Sequence, residues 1–211
     1  MIGYVLGMRK PSDMPRLTGF RFPREIIAFA VWAHHHLALS TADVEDLLAE
    51  RRVILSRETI RLWVNRFGGH FAGCVTRDRP RAADKWHLDE GVVPIGDVKY
   101  WLWRAIDSNG DVSRPIPTKR QTDCALSPDA DHRAHKGLNN RIEGSHRPTR
   151  RGEKIMGRFK SSREAQRFLI AHDQINTIFK PRRYRLSALS YRHARADAFS
   201  LWNDYIREMT A

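Results

Sequence analysis

Cysteine is scarce: Cys74 and Cys124 are the two in 211 residues, and they form no CxxC. That argues against a disulfide scaffold and against a thiolate zinc site. Long apolar runs are missing as well. The run that begins at Ile26 stops at His34-His35-His36, far short of the ~20 residues a bilayer requires, so no membrane segment is expected. The first ten residues place no basic stretch ahead of their apolar ones, so no leader is expected and the inferred compartment is cytoplasmic. Acids are in deficit, 24 against 37 Lys and Arg, which leaves a net charge of +13. The chain is nevertheless no disordered basic tail. It is 41% hydrophobic, with nine Phe, five Tyr and six Trp, enough apolar bulk for a core. A folded, strongly basic protein is expected to bind polyanions, nucleic acid first.

The deficit is sharpest in residues 132–160. Nine cations there (Arg133, Lys136, Arg141, Arg147, Arg150, Arg151, Lys154, Arg158 and Lys160) face only Glu143 and Glu153, a net of +7. Such a stretch attracts phosphates, and a carboxylate inside it, Glu143, is where a divalent cation can meet one. Residues 137–151 read as a helix on which Asn139, Asn140, Arg147 and Arg150 share the face of Glu143 at offsets of three, four and seven. The bland alternative is a solvated basic helix with one incidental Glu.

Upstream, Pro23 suits the first turn of a helix running to about Leu37, with Glu25 at its positive end and Ile26, Ile27, Ala30, Val31 and Trp32 on its apolar face. Ser40 or Thr41 caps a second helix, striped by Val44, Leu47 and Leu48 and ending near Arg51. Ser56 caps a third, where Ile60, Trp63, Val64 and Phe67 recur at helical spacing. Its other face offers Arg57, Thr59, Arg61, Asn65 and Arg66 to phosphates and base edges. Three short helices with a cationic third predict a helix-turn-helix over residues 23–70, although many small bundles share the pattern. The three consecutive histidines point about 100° apart on a helix and cannot converge on one ion, so a surface or interface place is expected.

From Lys85 the period becomes two. Trp86-His87-Leu88-Asp89-Glu90 reads as a strand tipped with acids, and residues 100–106 as an aromatic strand. Asp107-Ser108-Asn109-Gly110-Asp111 reads as a turn, and residues 112–116 as a third strand that closes at Pro117. The last third is helical. Ser161 or Ser162 caps one helix, in which His172 reads as a packed histidine, and another runs from about Ser187 to Met209, suited to packing or dimerisation.

Several segments together resemble the insertion-sequence transposases of the IS-six group. They are Trp86-His87-Leu88-Asp89-Glu90, Tyr100-Trp101-Leu102-Trp103-Arg104-Ala105-Ile106-Asp107, His135-Lys136-Gly137-Leu138-Asn139-Asn140-Arg141, Ser145-His146-Arg147-Pro148-Thr149-Arg150-Arg151, Arg158-Phe159-Lys160-Ser161 and Ala171-His172-Asp173-Gln174-Ile175-Asn176. Residues 43–51 and 59–64 continue the similarity upstream. The resemblance implies an α/β chain: an N-terminal segment (1–22), a helix-turn-helix DNA-binding domain (23–70), an RNase H-like DDE catalytic core (84–180) and a C-terminal helical segment (181–211). It implies a DDE recombinase that binds terminal inverted repeats and target DNA, as a homodimer or higher oligomer. Two Asp and one Glu would hold two Mg²⁺ or Mn²⁺ ions for strand cleavage and transfer. Asp89 matches the first Asp and Glu143 the last Glu. Lys136, Asn139, Asn140, Arg141, Arg147, Arg150 and Arg151 are then DNA-binding candidates beside Glu143.

One departure is large. The second Asp belongs on a strand carrying a Thr-Asp-Lys pattern, yet residues 118–137 provide only 20 positions. A helix, strand, helix and strand would need on the order of 50. Thr122-Asp123 is followed by Cys124, and Asp123 is a weak substitute, as are Asp129 and Asp131. The expected reading is an internal deletion that truncates the core. The function expected is therefore a transposase, with a catalytically dead remnant that only binds DNA as the alternative. Arg52 also stands where the family pattern favours Gly, at a cost of about 1 kcal/mol if its φ is positive.

Overall fold

The computed structural model describes residues 17–79, 86–96, 98–107, 116–118, 153–154, 159–179, 181 and 186–209. Helix α1 (Arg24–His36) begins where Pro23 leaves its carbonyl to the N–H groups of Ile26 and Ile27 at 3.1 and 3.3 Å. Helix α2 (Thr41–Ala49) is started by a reciprocal capping box. The Asp43 N–H donates to Ser40 Oγ at 3.1 Å and the Ser40 N–H to Asp43 Oδ2 at 2.8 Å, satisfying two donors that a helix start leaves open.

The end of α2 is strained. Arg52 has φ +62°, the left-handed region a side chain enters at a cost. Its N–H bonds the Ala49 carbonyl at 2.8 Å and the Val53 N–H bonds that of Leu48 at 3.0 Å, the paired bonds of a Schellman stop with Val53 packed against the core. Arg52→Gly is expected to stabilise the protein by about 1 kcal/mol, read as a rise in the urea midpoint. An unchanged or lowered midpoint would show that Arg52 makes a compensating contact.

Helix α3 (Arg57–Asp78) starts at Ser56, whose Oγ accepts from the Thr59 N–H at 3.4 Å. Leu55, just before the cap, and buried Ile60, four residues after it, both join the core, as a hydrophobic staple does. The helix continues past residue 70, the domain end expected from sequence, and Phe71, Cys74 and Val75 of its second half join the same core. Helices α4 (Ser162–Phe179) and α5 (Ala188–Arg207) begin at Ser161 and Ser187, whose hydroxyls accept the N–H groups of Glu164 and Ser190.

Among the described residues five helices share one core: Ile27, Ala30 and Val31 of α1, Val44 and Leu48 of α2, Ile60, Trp63, Phe67 and Phe71 of α3, Ile175 and Phe179 of α4, and Trp202, Tyr205 and Ile206 of α5. Phe71 stacks on Trp202 with centroids 4.1 Å apart. Burying each such ring contributes roughly 2–3 kcal/mol. Among the described residues no helix is long and apolar enough to cross a membrane.

Between α3 and α4 lies an antiparallel meander, β1 (Trp86–Ile95), β2 (Val98–Asp107) and β3 (Ile116–Thr118), in that order. Two expectations are corrected here. The first strand does not stop at Glu90 but runs through Pro94 to Ile95, turns at Gly96 (φ +60°), and Ile95 pairs with Val98. The third strand does not close at Pro117, which pairs with Leu102 while Thr118 pairs with Trp101. Among the described residues both prolines sit in the outer strands of the sheet, where half of the N–H groups face away from β2, and central β2 has none. The proposed Asn109-Gly110 turn lies outside the described residues, as does the segment 119–137 where the core was expected to be incomplete.

The sheet packs on the first half of α4. Val93, Ile95 and Leu102 meet Ala165, Phe168 and Leu169, with buried Phe159 between. Phe159 also forms a parallel bridge to Ile95, and its carbonyl accepts the Gly96 N–H at 3.1 Å. Helix α4 is therefore the shared strut, holding the sheet along its first half and α1 and α3 along its second.

Candidate nucleic-acid interface and metal-binding acids

The capped start and buried stripe of α3 leave one face free. Arg57, Arg61, Asn65 and Arg66 are exposed on it. Arg61 lies 3.0 Å from Glu58 one turn back, with both side chains more than half exposed, so the pair contributes only a few tenths of a kcal/mol and orients Arg61 more than it holds it. The guanidinium of Arg66 sits over the Phe20 ring, 5.2 Å from its centroid. Thr59, the remaining residue of that set, is half-buried, and its hydroxyl lies 3.1 Å from Ser56 Oγ, where it closes the cap. Sequence reasoning passed over Leu62 and Ile54, which are 60% and 82% exposed. The signal for Leu62 was that it lies off the buried stripe of α3, whereas Ile54 precedes that helix. Three guanidiniums and an amide on one exposed helical face can engage phosphate oxygens and base edges.

Of the acids, the structure places one. Asp89 lies in β1 opposite Arg104 of β2, four residues from buried Val93. Glu143 and Asp123 lie outside the described residues, as do Lys136, Asn139, Asn140, Arg141, Arg147, Arg150 and Arg151. Among the described residues no three His, Cys, Asp or Glu side chains are grouped to hold a metal ion.

The histidine triplet faces inward. His34 and His35 are buried where α1 meets α4, so the place is an interface within the chain, not its surface. His34 Nδ1 donates to the Leu39 carbonyl at 2.8 Å, and burial pushes its pKa down to about 4. His35 is held well below the usual range by burial first, then by His34 and His172. Its ring lies 5.3 Å from that of Phe168, which stacks on His172 at 5.1 Å. Asn176 Nδ2 donates to the carbonyls of His172 and His35 at 2.7 and 3.3 Å. His172 is thus the packed histidine expected. Gly68 of α3 makes the close approach workable, because a Cβ there would lie 3.2 Å from His35 Nε2. Buried neutral imidazoles packed on rings form a structural joint.

At the far end of α3, Cys74 is buried beside His70 and Glu208 Oε2, the latter at 3.6 Å. Burial, then the Glu208 charge, pushes its thiol up to about 12. Arg77 clasps Glu208 with two bonds of 2.7 Å, which hold that carboxylate below its usual range and tie α3 to the end of α5. In a Cys124→Ser background, native Cys74 is expected to resist iodoacetamide at pH 8 and to react once unfolded, since the thiolate is the nucleophile. Stoichiometric alkylation of the native protein, read by mass spectrometry, would contradict this.

Residues 117–182 match a family described as a DDE domain. Glu143 falls inside that match and Asp89 outside it. The chain is 29% identical over 90 residues to the transposase for insertion sequence-like element IS431mec of Staphylococcus aureus (strain N315), covering 43% of this chain and 40% of that protein. The transposase for insertion sequence element IS257 in transposon Tn4003 of Staphylococcus aureus matches over the same length at the same identity. The match spans well under half the length of these curated relatives. No solved structure matches significantly.

Proposed function

We propose that this chain, which resembles the insertion-sequence transposases of the IS-six group, binds the terminal inverted repeats of an insertion sequence and cuts and joins DNA there with a divalent metal. The match of residues 117–182 to the DDE domain carries the proposal. Helices α2 and α3 serve as a helix-turn-helix, with Arg57, Arg61, Asn65 and Arg66 directed at DNA. Asp89 and Glu143 supply hard carboxylate oxygens, the donors Mg²⁺ or Mn²⁺ prefers. A metal held by them supplies polarisation of the phosphoryl oxygen and activation of the attacking hydroxyl. The basic residues Lys136, Arg141, Arg147, Arg150 and Arg151, with the amides Asn139 and Asn140, hold the strand against those acids. The assembly that pairs two ends is a homodimer or larger, and it acts in the cytoplasm.

A second reading, a remnant that binds DNA without cutting it, is favoured by one observation. Only 19 residues (119–137) separate the end of β3 from the segment that leads into Glu143, and Asp123 is the nearest substitute there for the second Asp. The discriminating experiment incubates the protein with end-containing DNA, with and without Mg²⁺ or Mn²⁺, and reads both mobility shift and strand products. Binding should weaken with salt, and Arg57→Ala, Arg61→Ala and Arg66→Ala together should lower the salt slope by ~0.9 for each phosphate they leave unneutralised. Metal-dependent products support the first reading. Binding without products selects the second, and absence of binding overturns both.

A further inference from the structure

Helix α3 carries one large apolar side chain among the polar groups of its free face. Leu62 is 60% exposed, and its helical neighbours at offsets of four, one, three and four are Glu58, Arg61, Asn65 and Arg66. The fold gains little from it, since Ile60, Trp63 and Phe67 already fill the buried stripe. A leucine neither donates nor accepts a hydrogen bond. On the base edges of a duplex major groove the apolar feature is the C5-methyl of thymine. Arginines flank Leu62, and the single acid, Glu58, is already paired with Arg61. That charge setting suits a phosphate-lined groove. One leucine among three guanidiniums is also too small an apolar area for a protein interface.

We infer that Leu62 is a specificity-determining residue that packs on a thymine methyl in the recognised DNA end, between base or phosphate contacts made by Arg61, Asn65 and Arg66. The inference rests on the DNA-end reading above and adds a base identity to it.

The test uses the full chain. Bound sequences are selected from a random duplex pool with wild type, Leu62→Ala and Leu62→Gln. Each thymine of the selected wild-type site is then replaced by uracil, which removes only the methyl. At one or two positions uracil should weaken wild-type binding about 4-fold, the worth of one buried methyl. Leu62→Ala and Leu62→Gln should bind both versions of those positions equally, with unchanged circular dichroism and an unchanged salt slope. A wild type without sequence preference would overturn the DNA-end reading and this inference with it. A selective wild type whose uracil sensitivity persists in both variants, or whose site lacks thymine, would overturn the inference alone. So would loss of self-association in Leu62→Ala, seen by sedimentation, with uracil sensitivity retained.

Discussion

Acidification from pH 7 to 4.5 is expected to remove several kcal/mol of stability, most of it through His34 and His35. Both are neutral in the native joint because burial disfavours their charged forms, whereas in the unfolded chain each protonates near 6.5. Above that value neither state takes a proton and the joint is intact. Below it the unfolded chain binds protons that the native protein refuses, until the native pKa of about 4 is reached at His34. A depressed pKa therefore gives stability that is present above 6.5 and lost as pH falls, at about 1.4 kcal/mol per pH unit for each histidine. At pH 4.5 that is roughly 2–3 kcal/mol for His34, with His35 acting in the same direction, in a protein whose total is of order 5–15 kcal/mol. His34 faces His35 on its own helix and His172 faces His35 from α4, so a first charge in the joint makes a second harder to place. The carboxylates held low, Asp43, Asp78 and Glu208, lose their contributions below about pH 4, under this window. Urea titrations at pH 7, 6, 5 and 4.5 measure the slope. His35→Leu removes one histidine's share of it and two buried ring nitrogens without a hydrogen-bond partner, so its advantage over wild type should grow as pH falls. A wild type of constant stability across the window, or an unaltered slope in His35→Leu, would refute this account of the joint.

The helices were legible because each start is written in side-chain chemistry. Ser40 with Asp43, Ser56, Ser161 and Ser187 all cap where hydroxyl spacing predicts. The left-handed turn at Arg52 was legible only through the glycine that the resembling family prefers there, since no propensity marks an arginine for positive φ. The β1–β2 hairpin was misread for a physical reason. Asp89-Glu90-Gly91 and Pro94 look like an ending, but an edge strand tolerates both glycine and proline, and the usable signal was Gly96-Asp97 between Ile95 and Val98. The inward turn of His34 and His35 could not be read from a triplet, because three consecutive helical residues face three directions and only the arrival of α4 decides which are covered. The free face of α3 followed from spacing alone. Leu62 did not, because a periodicity argument discards an apolar residue that lies off the stripe. Asp89 carries no local sign of catalysis, and its candidacy comes from the resemblance of its strand.

Glu143→Gln is expected to lower metal-dependent strand cleavage by ~10²–10³-fold or more, the scale on which loss of one preorganised electrostatic group acts, while DNA affinity is held or slightly raised. Glutamine keeps the shape of glutamate and loses the charge and the hard oxygen pair that a divalent ion needs. In residues 132–160, with nine cations against two acids, removing one acid makes the stretch more attractive to phosphate. A merely solvated Glu143 would leave both readouts in place. Asp89→Asn should behave alike, and the double variant should be little worse than either, because ligands of one metal site act as a unit. Asp123→Asn then decides between the two readings of the catalytic core. Wild-type products that vanish in Asp123→Asn mean that this residue completes the acid set despite the short spacing. Should wild type bind ends but give no products, Mn²⁺ binding replaces cleavage as the readout. Weak binding abolished in both Asp89→Asn and Glu143→Gln keeps the two acids as a shared site with its third ligand missing. Cleavage undiminished in Glu143→Gln would remove Glu143 from the site altogether and return residues 137–151 to a basic DNA-binding segment with an incidental acid.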